Sequence, residues 1–415
     1  VVFVAGAVGL APRSADSEWV KERRAGSPEA SVTALLEDLR RLPHNHVGWA
    51  QLGMAYIQQG RASADPAVYA KAESALRRSL KVQPRDNDRA ETGMGALAAA
   101  RHDFRTALTW GLRAAATNPA SAAAQGVLAD AYTQLGHYEE SYRAVQRMVD
   151  LRPDVSSLAR ASYTWELRGD VARARTLMKR ALESASAPSD RAFARLHLAT
   201  LAQETGDART ALREAQKGLR ATPRDAALLE ARARAHAALG HERQALADYA
   251  AAVAIVPLPQ YLLGLGELQQ SLGQTRAARK QYEVLRAHEQ VRRASGEPPD
   301  VDAILFEADH GSAERAVALG SAAVEDRPFI AVQDAHAWAL HRAGRNAQAL
   351  AYANRALALG TRSALFHYHR GMIRLALEDA AGREDLVRAL SIDPHFHPLH
   401  APRARAALER IDASS

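Results

Sequence analysis

Prolines return along this 415-residue chain at a nearly constant distance. Pro84, Pro119, Pro153, Pro188, Pro223 and Pro257 lie 35, 34, 35, 35 and 34 residues apart, and Pro328 and Pro394 follow. Proline lacks an amide hydrogen and keeps the residue before it out of helical backbone, so each one punctuates a helix. A helix pair copied every 34 residues cannot bury its apolar side alone. It must stack on its neighbours, and the stack offers a long surface rather than one chemical pocket. A stacked array also escapes the size at which a single core stops growing.

The unit from Ser121 to Pro153 shows the pattern. Leu128, Ala129 and Tyr132 share one face of a first helix. Gly136 closes it, because glycine takes the left-handed backbone of a helix end without penalty. His137 and Tyr138 turn the chain. Ser141, Val145 and Met148, spaced four and three apart, line a second helix that stops at Pro153. Apolar residues make up 47% of the chain but aromatics only 6%. Much of the apolar share is alanine, which favours helix and lets helices approach closely.

This unit resembles the tetratricopeptide repeat. The resemblance is fullest in Trp49-Ala50-Gln51-Leu52-Gly53-Met54-Ala55-Tyr56, with Gly60 expected to end that helix and Arg61 to Ala67 expected as an insertion in the turn. Later units keep the register through Gly169, Gly206, Gly240, Gly273, Gly311 and Gly344. The fold it implies is all-α: a right-handed α-solenoid of about ten helix-turn-helix repeats between two capping helices. The expected organisation is an apolar tail and linker at 1–27, a capping helix at 28–44 and seven repeats at 45–291. A polar, proline-containing loop at 292–300, three repeats at 301–394 and a cap at 395–415 complete it. The composition is similar to that of tetratricopeptide proteins from GC-rich, actinobacterium-like genomes.

The first residues, Val1 to Ala11, are uncharged and apolar, and at that length too short to span a bilayer. They read as the remnant of a signal or anchor, which implies an extracytoplasmic or membrane-anchored protein; the alternative is a cytoplasmic one. Cysteine is absent, which removes thiol chemistry and cysteine-based metal sites. The net charge of +7 comes from 54 basic residues interleaved with 47 acidic ones, and no long run of one sign marks a nucleic-acid stripe.

No phosphate-binding loop, nucleophile elbow or zinc-protease motif occurs, so neither an enzyme nor a cofactor is expected. Histidines cluster near the C-terminus at His367, His369, His395, His397 and His400. Of these, His395, His397 and His400 are the candidates for a metal-binding module. The tetratricopeptide resemblance implies that first helices line a concave groove that takes a protein or peptide partner. It places Asp130, Thr133, Tyr163, Glu166, Thr200, Gln203, Glu230, Arg234, Glu267, Gln270, Asp334, Trp338 and His341 on that face. The clamp some members use for chaperone tails is missing, since Met54, Ala96 and Asp130 stand where asparagine would. The expected function is a non-enzymatic protein-interaction scaffold; the alternatives are an array binding nucleic acid or another anionic partner, and the histidine metal module.

Overall fold

The computed structural model describes residues 28–63, 65–294 and 298–414. Among them are twenty-two α-helices and no strand. The helices α1 (Pro28–Arg41) and α22 (His400–Ser414) bracket ten helix pairs. The pairs run from α2 (His46–Ser63) and α3 (Pro66–Val82) through α4 (Asp88–Ala100), α5 (Phe104–Thr117), α6 (Ala122–Gln134) and α7 (Tyr138–Leu151). They continue with α8 (Val155–Leu167), α9 (Val171–Ser184), α10 (Pro188–Gln203), α11 (Ala208–Ala221), α12 (Ala226–Ala238) and α13 (Glu242–Ile255). The last four pairs are α14 (Pro259–Ser271) with α15 (Thr275–Ala294), α16 (Val301–His310) with α17 (Ala313–Asp326), α18 (Ile330–Arg342) with α19 (Asn346–Ala356), and α20 (Ala364–Leu375) with α21 (Ala381–Ile392). The apolar run at 1–11 lies outside the described residues. No described helix is long and apolar enough to cross a membrane.

One device ends most first helices. Gly136, Gly169, Gly206, Gly240, Gly273 and Gly344 all have φ between 74° and 76°. In each, the amide after the glycine reaches back five residues, as His137 does to Tyr132 and Asp207 to Ala202, both at 2.9 Å. The glycine amide itself bonds three residues back, completing the six-to-one closure that satisfies carbonyls a helix end would strand. Second helices start with a side-chain cap where the sequence allows it: Asp103 and Asp207 accept from Thr106 and Thr210 amides.

Several expectations are corrected in detail. Gly60 does not end its helix, because α2 runs on to Ser63. The glycine is there for closeness: a Cβ would run into the Tyr69 ring. Gly311 has φ −133°, outside the left-handed region. Its turn is held instead by the Glu307 carboxylate, which accepts from the Ser312 amide and pairs with Arg315. Pro188 opens α10 rather than closing α9, using the first-turn position where a missing amide costs nothing. Residues 292–294, expected in a loop, are the last residues of α15.

The chain divides into two compact units, each with its own packing. The N-terminal unit comprises the described residues of 28–164 together with 176–194. The C-terminal unit comprises 165–175 and the described residues of 195–414. Both sides of the 292–300 segment therefore belong to one unit. The N-terminal unit is built on apolar layers such as Met54, Ile57, Leu76 and Leu97, with Trp110 and Tyr69 against them. In the C-terminal unit Leu262, Leu263, Tyr282 and Phe306 form such a layer, and Gly266 leaves room for the Tyr282 ring.

The C-terminal unit also closes upon itself. The turn after α8 lies against residues 360–362, where a Cβ on Gly169 would strike the Gly360 carbonyl and Thr361 donates to the Leu167 carbonyl at 2.5 Å. The turn after α10 lies against Ile392 to Pro394 at Gly206.

Candidate functional site

Six residues before each of the six cap glycines Gly136, Gly169, Gly206, Gly240, Gly273 and Gly344 the chain places Asp130, Tyr163, Thr200, Arg234, Glu267 and Trp338. This is one register position on the first helix, with six different chemistries. Asp130 and Tyr163 belong to the N-terminal unit, and the other four, with Glu166 and Glu230, to the C-terminal unit.

In the N-terminal unit Asp130 is already satisfied. Arg160 grips both its oxygens, at 2.9 and 2.7 Å, and the pair is largely buried. The space beside it holds about 30 Å³, room for a water and no more. Tyr163 is buried.

The groove expected in the C-terminal unit is partly filled by the chain itself. The segment from Asp393 onward and α22 are anchored there through histidines. Glu267 on α14 takes His310 of α16 on one oxygen and His397 on the other, both at 3.1 Å. The tautomer of His397 follows from its other nitrogen. Nδ1 accepts the amides of Leu399 and His400, so the proton that faces Glu267 sits on Nε2. Burial alone would raise Glu267, but the neighbouring His397 and the hydrogen bonds from His310 and His397 outweigh it and hold the carboxyl down at about 2.

The same logic repeats at Asp309, which accepts from His400 Nε2 at 3.1 Å and from the Trp338 indole at 3.2 Å. Burial, and then His397, push His400 down to about 4 against the pull of Asp309, so it is the neutral ring that donates. Trp338 is stacked on His369, with ring centres 4.3 Å apart, and His369 bonds Asp334 at 2.8 Å. Trp338 is 2% exposed.

Glu267 and Trp338, expected to meet a partner, therefore meet α16, α20, α22 and the preceding segment instead. The first helices of repeats seven and nine carry side chains long enough to reach the returning chain, and it covers them. Thr200 is buried as well. The metal candidates are corrected on the same ground: His397 and His400 are held by separate carboxylates. Among the described residues no group of three or more histidines and carboxylates could hold an ion.

What the returning segment leaves uncovered is a cavity of about 320 Å³. Three successive first helices build one wall: α10 with Gln203 and the adjoining Glu204, α12 with Glu230 and Arg234, and α14 with Glu267. Asp393, His395 and Phe396 form the other. Arg234 lies 3.8 Å from Glu230, too far for a hydrogen bond. Burial raises Glu204 to about 7 and lifts Glu230 and Asp393 above the ordinary carboxylate range. Glu166, at the end of α8, is raised well above that range by burial and by Glu204 beside it.

The structure thus gathers Glu230, Arg234 and Glu267, and Gln203 with them, around one space. Sequence reasoning missed Glu204 and Asp393. Asp393 had no local signal, since only the return of the chain brings it to α12. Glu204 stands two residues before its cap glycine, where the other units carry residues of no common type.

No family model matches the sequence, and no curated protein matches it. Several solved structures are similar to it. A monomeric mutant of IFIT1 with Gppp-AAAA matches over 92% of this chain and 94% of its own, at 14% identity and a TM-score of 0.51. A tetratricopeptide repeat protein from Parabacteroides merdae matches over 61% of this chain and 97% of its own, at 20% identity and a TM-score of 0.35. TTC0263, a tetratricopeptide protein of Thermus thermophilus, matches over 45% and 98%, at 23% identity and a TM-score of 0.38. The architecture is the all-α helical-repeat solenoid of tetratricopeptide type.

Proposed function

We propose that this chain, a tetratricopeptide-type solenoid by its fold, is a non-enzymatic interaction scaffold that docks a short segment of a protein partner in the cavity of its C-terminal unit. The observation that carries the reading is the 320 Å³ space walled by three consecutive first helices. Its volume suits one or two side chains, and polar groups converge on it from several elements, as in sites that fix a ligand's orientation.

Chemistry also separates this reading from nucleic-acid binding, the activity that Gppp-AAAA represents in IFIT1. Phosphate needs a surplus of cations. Here Glu204, Glu230, Glu267 and Asp393 face the space, against Arg234 and Arg405.

The test is capture of peptides from a displayed random library by the full chain and by its Arg234→Ala and Glu230→Ala variants. Enrichment that disappears in at least one of the two variants is expected. Enrichment that survives both removes the cavity as the docking site.

A further inference from the structure

We propose that the cavity of the C-terminal unit is a receptor for a cationic hydrogen-bond donor, the ammonium or guanidinium head of a basic residue on the docked segment. The inference rests on the docking reading above and names the chemistry of its ligand.

Three observations lead there. The first is Gln203. Its side chain lines the cavity, the residue is 6% exposed, and its Oε1 is buried without any hydrogen-bond donor. A buried acceptor left unmade is costly, and a ligand that brings a donor recovers that cost. The second is the balance of charge. Glu204, Glu230 and Asp393 stand around Arg234, whose ion pair with Glu230 is loose at 3.8 Å. The third is the shape of the site. An acceptor amide and two carboxylates stand on adjacent helices facing one space, an arrangement that several N–H groups on a single head can satisfy together.

An anionic head would meet more carboxylates than guanidiniums. An apolar head would leave Gln203 Oε1 as it is and would remove water from the carboxylates besides. A cation supplies a donor to Gln203 Oε1 and charge to the carboxylates, and these together outweigh its repulsion by Arg234. Burial raises Glu204 and Glu230 even though Arg234 pulls the other way, and a bound cation would offset that burial. Binding of a cation at neutral pH would pull protons off Glu204, which titrates at about 7.

The test uses capped tripeptides with lysine, arginine, norleucine or Nε-acetyl-lysine between two alanines, titrated calorimetrically into the full chain at pH 7. The lysine or the arginine peptide should bind, and which one binds tighter identifies the head. Norleucine and acetyl-lysine should bind about tenfold or more weakly, the loss expected for charge-assisted hydrogen bonds. Glu230→Gln and Gln203→Leu should each weaken the basic peptide about tenfold, with helix content unchanged by circular dichroism. Binding heats should vary with the ionisation enthalpy of the buffer, reporting proton release.

Equal affinity for norleucine and lysine overturns the proposal. So does a random library enriched in peptides without basic residues whose capture is lost in Arg234→Ala; that result leaves the docking reading standing. A library that enriches nothing takes both down.

Discussion

The two units use the same repeat and treat its inward register differently. In the N-terminal unit Asp130 finds Arg160 thirty residues on, and the pair closes its own space. In the C-terminal unit the corresponding Arg234 and Glu267 point toward a returning stretch of chain, and the two fare differently. Glu267 is taken up by His310 and His397, while Arg234 keeps only a distant carboxylate. A solenoid's inner face is thus not one surface. Where the neighbouring repeat supplies a partner the position becomes structural, and where it does not the position is left for something else.

The largest expected effect comes from removing the anchor of the returning segment. Glu267→Ala leaves two buried imidazoles without their acceptor and should destabilise the C-terminal unit by about 3–5 kcal/mol. Hydrogen exchange should show the loss at 393–414 and α14, with the N-terminal unit protected as before. Equal loss of protection in both units would mean that they are one cooperative body and that the comparison fails. The matching change on the other side is Arg160→Met. Asp130 is then left beside an apolar chain but keeps some access to water, so about 2–3 kcal/mol is expected, confined to α6 and α8 in the same measurement.

Much of this architecture could be read from the chain alone. The proline beat and the cap glycines place ten helix pairs, because both signals are local: a missing amide and a left-handed turn need no distant partner. The inner positions came from the resemblance to the tetratricopeptide repeat, and Glu230, Arg234 and Glu267 among them line one cavity. What could not be read was which of those positions stay free. That depends on contacts such as Thr361 with Leu167 and His400 with Asp309, spanning 194 and 91 residues, and no repeat period encodes them. The histidines at 395–400 suggested metal for their composition. Their use as donors to buried carboxylates depends on acidic residues that sit in the ordinary register of α14 and α16.

Titration offers a further test. In the N-terminal unit Glu73 is lowered by its hydrogen bonds to Arg101 and Arg77. The C-terminal unit carries shifts of opposite consequence. Glu204 is raised to about 7, so its contribution is fully present below its unfolded value and is lost as pH rises through 7. His400 is lowered to about 4, so the unfolded state takes its proton first and stability falls as pH drops from about 6.5 toward 4. The two windows overlap and offset each other in the native chain. Glu204→Gln should uncover the histidine term and make urea midpoints of the C-terminal unit fall more steeply on acidification, by about 1–2 kcal/mol over that range. His400→Asn should tilt the profile the other way. Parallel profiles for the native chain and both variants would refute this assignment of the two groups.

The smallest effect concerns the cap position, where each unit breaks the glycine rule once. His102 and Glu378 hold φ of 60° and 58° at helix ends whose closure matches the glycine caps: Asp103 reaches Ala98 at 2.9 Å and Asp379 reaches Arg374 at 3.0 Å. A side chain in left-handed backbone costs about 1–2 kcal/mol, part of which glycine returns in greater freedom when unfolded. Glu378→Gly should therefore stabilise the C-terminal unit by about 0.5–1 kcal/mol. His102→Gly should gain less, because its ring stands edge-on to Phe104 at 6.0 Å and that contact is forfeited. Thermal or urea unfolding of the two variants would rank them. A larger gain at His102 than at Glu378 would mean that the aromatic edge contributes nothing and that the backbone alone sets stability at both caps.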